Sequence, residues 1–166
     1  MGSLMTQCMG MLHWDLFAAI APFSGFLFDE YWHGPETSLT QPYALTRKRE
    51  EKLRAEAGRS AVLPLIQFTG TADRTWTEEL AIATRAFWSK WNEVPEFDLS
   101  GQPMLTWGDD GRFDIFDSKE SVEENLYRFV NVKDLTHAVD LREPYLAWDF
   151  ISRFSRDERS GNIKFE

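Results

Sequence analysis

Apolar residues recur along this chain at two different spacings, and each spacing predicts a different kind of element. Leu4, Met5, Cys8, Met11 and Leu12 repeat at helical intervals and predict a helix over residues 3–14. No charge falls between Met1 and His13, so this helix is expected to be buried on most sides. Residues 18–23 and 62–68 are short apolar runs without polar alternation, the pattern of strands covered on both faces. Residues 126–132 predict a third such strand. A helix rich in Lys, Arg and Glu is expected over residues 44–58, with Gly58 as its stop. Residues 77–92 predict another helix, capped by Thr77, with Glu78 and Glu79 in its first turn. Its apolar face is expected to be Leu80, Ile82, Ala83, Phe87 and Trp91. A closing helix over residues 143–154 should turn Tyr145, Leu146, Trp148, Ile151 and Phe154 inward.

Between these elements, residues 24–43 hold Gly, Pro and aromatics and read as loop. The least regular stretch, about residues 95–124, contains one hairpin: residues 104–107 and 113–116 flank Gly108-Asp109-Asp110-Gly111. Buried strands separated by helices predict an α/β fold, with a parallel sheet joined by right-handed crossovers. In such sheets the chemistry gathers at the carboxyl ends of the strands.

At 166 residues the chain is long enough for one domain with a sizeable core. A net charge of −9 argues against nucleic acid or an anionic membrane as partner, since both need basic patches. The basic cluster Arg47-Lys48-Arg49, with Lys52 and Arg54, is interleaved with Glu50, Glu51 and Glu56 and reads as a surface of local ion pairs. Cys8 stands alone, which excludes an internal disulfide and a cysteine zinc cluster. His13, His33 and His137 lack ligand spacing, so neither metal nor cofactor is expected. No apolar run reaches membrane-spanning length, and no basic segment opens a signal peptide, which leaves the compartment unassigned. Aromatics make up 14% of the chain, and a core is the simplest use for them. Of the pair Trp88 and Trp91, one is expected in the core and the other partly exposed.

Two residues at strand ends carry the candidate chemistry. Asp73 lies five residues past Phe68, after Gly70, where the backbone can turn sharply. It reads either as an acid that orients a histidine or as a cap for the helix near Thr77. His137 follows the third strand by a short loop and reads either as a general base or as an ordinary loop histidine. Asp140, three residues on, is a rival orienting acid. A hydrolase built on such a pair also needs a nucleophile, and no Gly-x-Ser-x-Gly pentapeptide occurs. Ser3 and Ser24 read as structural, Cys8 as a small core residue, and Asp109 and Asp110 as turn residues.

Five segments resemble a known family: Ala19-Ile20-Ala21-Pro22-Phe23-Ser24-Gly25, Gly70-Thr71-Ala72-Asp73, residues 88–92, Thr136-His137-Ala138, and residues 147–156. Together they look like the C-terminal half of α/β-hydrolase esterases of the polyhydroxybutyrate-depolymerase and feruloyl-esterase type. The resemblance implies a single truncated domain over residues 1–166, with an irregular insertion at about 95–124. It implies a partial α/β-hydrolase fold, a parallel sheet flanked by helices, without the N-terminal strands and the nucleophile elbow. Asp73 would be the orienting acid and His137 the base of a serine esterase. Met1-Gly2 would be the last two residues of a Gly-x-Ser-Met-Gly elbow, so the serine would lie just before Met1. Met1, as an N-terminal residue, could not supply the oxyanion-hole amide in the normal way. The family's reaction is carboxylic-ester hydrolysis, with acyl esters on polysaccharide or polyester chains as substrates. This chain alone is expected to be inactive for lack of the nucleophile. The alternatives are a non-catalytic fragment, a half that needs a complementing N-terminal part, or a saccharide-binding module. An uncovered edge at residues 18–23 would favour self-association.

Overall fold

The two apolar runs at residues 62–68 and 126–132 become neighbouring strands. In the computed structural model, which describes residues 2–25, 55, 62–76, 78–118 and 125–166, they are β1 (Leu65–Gly70) and β4 (Tyr127–Val132). They pair in parallel, with Leu65 opposite Tyr127 and Gly70 opposite Val132. Alternation sends Leu65, Tyr127 and Phe129 to one face of the sheet and Ile66, Phe68, Val130 and Val132 to the other. The remaining elements are α1 (Gly2–Leu12), α2 (Glu78–Trp91), β2 (Leu105–Trp107), β3 (Phe113–Asp117), α3 (Glu143–Ile151), β5 (Phe154–Arg156) and β6 (Ile163–Phe165). The helix expected over residues 44–58 lies outside the described residues, apart from Ala55.

Each sheet face has its own core. Met11, Phe87, Trp88 and Trp91 from α1 and α2 cover one face, and Leu146, Ala147 and Phe150 from α3 cover the other. Each of the large side chains among them, fully removed from water, contributes about 1.5–3 kcal/mol. Trp88 and Trp91 are both fully buried, against the expectation that one would be partly exposed. A polar residue of α1 makes this tolerable: the Trp88 indole donates to Gln7 Oε1 at 2.8 Å, and Gln7 is itself buried. Asn92, just past α2, clips the helix to the start of β1. It accepts from Leu63 N–H at 2.8 Å and donates to Leu63 C=O at 2.9 Å.

The fold class departs from the expected partial α/β-hydrolase fold with its parallel sheet flanked by helices. The four-stranded sheet runs β1-β4-β3-β2, and only β1 and β4 are parallel. The hairpin expected inside an irregular insertion does form, with Gly111 N–H closing onto Gly108 C=O at 2.9 Å, but it belongs to the main sheet. Its β3 pairs antiparallel with β4, from Phe113 opposite Val132 to Asp117 opposite Arg128. The last of these pairs is a two-bond ion pair: Arg128 Nε and Nη2 donate to the Asp117 carboxylate at 2.7 and 2.8 Å. A bidentate pair of this kind holds register as well as adding energy.

The expected strand at residues 18–23 is reduced to two isolated parallel bridges onto β1, Ile20 to Leu65 and Phe23 to Phe68. Proline explains the gap. Ile66 donates to Ile20 C=O and Phe68 to Pro22 C=O, but the rung between them would need an N–H at Pro22, which has none.

Several faces also differ from expectation. Ile82 is exposed on α2, where Ala81 and Thr84 are buried instead. Met5 and Met9 leave one side of α1 in solvent. Tyr145 and Trp148 are 74% and 68% exposed on α3, which buries Leu146, Ala147 and Phe150. Phe154 leaves the helix and opens β5, which forms a small separate hairpin with β6.

Candidate active site

Asp73 and His137 meet because the loops that follow β1 and β4 are knitted together. Thr71 N–H donates to Val132 C=O and Ala72 N–H to Leu135 C=O, each at 3.0 Å. Asp134, at φ 55, donates its N–H to Thr71 Oγ1 at 2.9 Å. Gly70 allows this closeness. It does not adopt a left-handed conformation, and its role is space: a Cβ there would collide with the Leu135 carbonyl oxygen and stand 2.8 Å from the carbonyl carbon. The sharp turn expected of Gly70 is therefore replaced by a close approach between two loops.

Across this junction, His137 Nδ1 lies 2.9 Å from Asp73 Oδ2. The aspartate side chain is 2% exposed and the imidazole 41%. The two oxygens of Asp73 divide its contacts, and the local one closes a turn ahead of α2 rather than capping the helix itself. Oδ1 accepts the N–H groups of Thr75 and Trp76, at 2.8 and 3.3 Å, in the turn that leads into α2. Oδ2 is left for the histidine. A carboxylate only accepts, so this contact assigns the proton to Nδ1 and leaves Nε2 as the basic nitrogen. Trp76 flanks the imidazole, with ring centroids 5.9 Å apart.

His137 borders an open cavity of about 500 Å³ at the amino-terminal end of α1, lined also by Gly2, Ser3, Thr6, Ser24 and Val139. The three hydroxyls in that lining are engaged elsewhere. Ser3 Oγ accepts from Gln7 Nε2 at 3.3 Å, and Thr6 Oγ1 donates to Gly2 C=O at 3.0 Å. Ser24, at φ 46, donates its hydroxyl to Ala138 C=O at 2.6 Å. This makes Ser24 the tether between the segment after Ile20 and the His137 loop, a role with no signal in its sequence context. Among the described residues, no hydroxyl or thiol bonds to His137.

Asp140 is not the orienting acid. It accepts from Arg142 Nε and Nη2, at 3.0 and 3.1 Å, and lies 3.3 Å from Arg112 Nη1. The Arg142 hydrogen bonds hold its carboxyl below the ordinary range. Asp110 caps the hairpin turn at Arg112 N–H and also pairs with Arg142. Cys8 packs against the core. No group of His, Cys, Asp and Glu among the described residues could hold a metal ion. No described helix is long and apolar enough to cross a membrane.

The geometry therefore offers an imidazole beside a cavity, held from behind by a buried carboxylate. Against known proteins, no family model and no curated protein matches the chain.

Proposed function

We propose that His137 and Asp73 are the base and the orienting acid of a carboxylic-ester hydrolase whose nucleophile is a serine presented at the amino-terminal end of α1. The observation that carries this reading is the 2.9 Å contact from a buried carboxylate to a half-exposed imidazole at the edge of that cavity. The resemblance of the residues around Asp73 and His137 to polyhydroxybutyrate depolymerases and feruloyl esterases supports an ester as the substrate.

The roles follow from the atoms. Nε2 of His137 takes the serine proton as Oγ attacks the ester carbonyl carbon, and returns it to the departing alcohol oxygen. The acyl group is left on the serine. Water, deprotonated by the same nitrogen, then releases the acid. Asp73 keeps the imidazole in the productive tautomer and stabilises the imidazolium formed between the steps. The start of a helix carries the positive end of its dipole, so an oxyanion formed at the amino-terminal end of α1 would be stabilised there.

Among the described residues no hydroxyl bonds to His137, so a serine brought to the amino-terminal end of α1 would complete the arrangement. Two preparations test this, the 166-residue chain alone and the same chain with a Gly-x-Ser segment joined ahead of Met1. The extended chain is expected to turn over p-nitrophenyl acetate and to be labelled by a fluorophosphonate, both lost in His137→Ala. The chain alone is expected to do neither. An extended chain that remains inert, or whose activity survives His137→Ala, would overturn the reading.

A further inference from the structure

The loop that carries His137 is held almost without packing. Leu135 is buried ahead of it and Glu143 after it, but from Thr136 to Leu141 no side chain is buried. Directional polar contacts therefore decide where the imidazole stands. On the entry side these are the bonds of Asp134 and Leu135 to the loop after β1, and in the middle the bond of Ser24 to Ala138 C=O. The exit side rests on Asp140. Its Oδ1 accepts Arg142 N–H and Nε, each at 3.0 Å, and its Oδ2 accepts Arg142 Nη2 and Arg112 Nη1 at 3.1 and 3.3 Å. These donors fill the roughly four acceptor sites of a carboxylate. The Asp140 side chain is 12% exposed, so solvent screens the charge only in part.

The two arginines do different things. Arg142 lies two residues from Asp140 and folds the turn onto itself. Its link to the β2–β3 hairpin, through Asp110 at 3.1 Å, ends on a carboxylate that is half in solvent and adds little. Arg112 comes from that hairpin, one residue ahead of β3, and reaches both ends of the His137 loop with one guanidinium. Its Nε donates to Lys133 C=O at 2.9 Å, and its Nη1 to Asp140. The backbone completes the grip, with Lys133 N–H donating to Arg112 C=O at 2.8 Å. A planar guanidinium fixes the angle between its donors, so it sets the spacing of Lys133 and Asp140 and with it the path of residues 134–139.

We propose that Arg112 is a positioning residue for His137: by bridging Lys133 and Asp140 it closes the base of the loop and keeps the imidazole against Asp73. The hairpin is then part of the frame of the site. The proposal rests on the reading of His137 as the base, and its test is made on the imidazole, where no nucleophile is needed.

The full chain, labelled with ¹⁵N-histidine, supplies the readout. Arg112→Met keeps the stem and removes both contacts, and Asp140→Asn keeps the shape and removes the charge. In each, the Nδ1 proton of His137 is expected to exchange with water about tenfold faster than in the parent, the equivalent of one lost hydrogen bond to a charged group. The ¹⁵N shifts should show the Nε2–H tautomer gaining population. The double variant should exchange no faster than the faster single, because both changes act through one contact. Lys133→Met is the control for a merely structural role. It removes the 2.9 Å ion pair with Asp114 on β3 but keeps the Lys133 carbonyl, and should leave the exchange as in the parent. Correlation spectra report which variants are folded. The proposal is overturned if either Arg112→Met or Asp140→Asn, folded, keeps the parent's exchange rate and shifts, or if Lys133→Met changes them as much as Arg112→Met. An inert serine-bearing chain counts against the hydrolase alone, whereas an imidazole indifferent to Arg112 counts against this proposal alone.

Discussion

A methyl group at Gly70 tests how the acid and the base are brought together. In Gly70→Ala, the new Cβ collides with the Leu135 carbonyl oxygen and stands 2.8 Å from the carbonyl carbon and 3.1 Å from Leu135 Cβ. Relief requires one loop to retreat by about 1 Å, since carbon contacts settle near 3.5 Å. Overpacking of this kind costs about 1–3 kcal/mol. The retreat also weakens the Ala72 N–H to Leu135 C=O bond, now 3.0 Å, for about 1 kcal/mol more. The alanine restricts the unfolded chain and offsets up to about 1 kcal/mol of this. The net destabilisation is about 2 kcal/mol, or roughly 4–8 °C in Tm for a chain of this size. Gly101→Ala is the control, because a Cβ there meets only Asp98 C=O at 3.7 Å. Urea unfolding followed by circular dichroism gives the stabilities, and imidazole ¹⁵N shifts report whether His137 still donates from Nδ1. A Gly70→Ala chain as stable as Gly101→Ala, with unchanged His137 signals, would show that the two loops do not depend on the space at Gly70.

Asn92→Ala orphans the buried N–H and C=O of Leu63 together and should cost about 2–4 kcal/mol in urea unfolding, so a loss below about 1 kcal/mol would show that the clip contributes little. Asp73→Asn keeps an acceptor for Thr75 and Trp76 but turns an amide N–H toward the imidazole, so the His137 proton should move from Nδ1 to Nε2 in the ¹⁵N spectrum. An unchanged tautomer would mean that the contact does not form in solution. Burial pushes the Glu143 carboxyl up from 4.5 to about 7, and the nearby Asp140 charge adds to the rise. The folded chain then holds a proton that the unfolded chain has already released, so stability falls by about 3 kcal/mol as the pH rises from about 4.5 to 7. Glu143→Gln should flatten that stretch of the stability profile, and a slope equal to the parent's would assign it to another group.

The parts of the fold that could be read from sequence are those set by one residue's own neighbours. The apolar runs of β1 and β4 are continuous because both strands are buried on both faces, and their ends therefore pointed to Asp73 and His137. The distance between those two side chains was not legible, since it depends on Gly70 making room for Leu135, 65 residues away. Nor does the segment Phe113–Asp117 contain anything that names its partner. Its antiparallel place beside β4 rests on Asp117 meeting Arg128, two unremarkable charges until the register is known. Pro22 was visible, but its effect depends on which carbonyl stands opposite. The outward turn of Tyr145 and Trp148 defeated an argument from size, because Leu146, Ala147 and Phe150 already fill the face toward the sheet.

The parallel pairing of β1 with β4 also governs when the site comes into being. Asp73 and His137 are 64 residues apart, and a parallel pair cannot be closed by a tight turn. The chain must lose the entropy of that long closure before the contacts it permits begin to stabilise it. A collapsed intermediate with α2 and the β2–β3 hairpin formed would already have local order but no acid–base pair. The protonated Nδ1 of His137 in contact with Asp73 is therefore a marker of completed topology. In refolding experiments its ¹⁵N signal should rise with the slowest phase of native structure and lag behind helical circular dichroism.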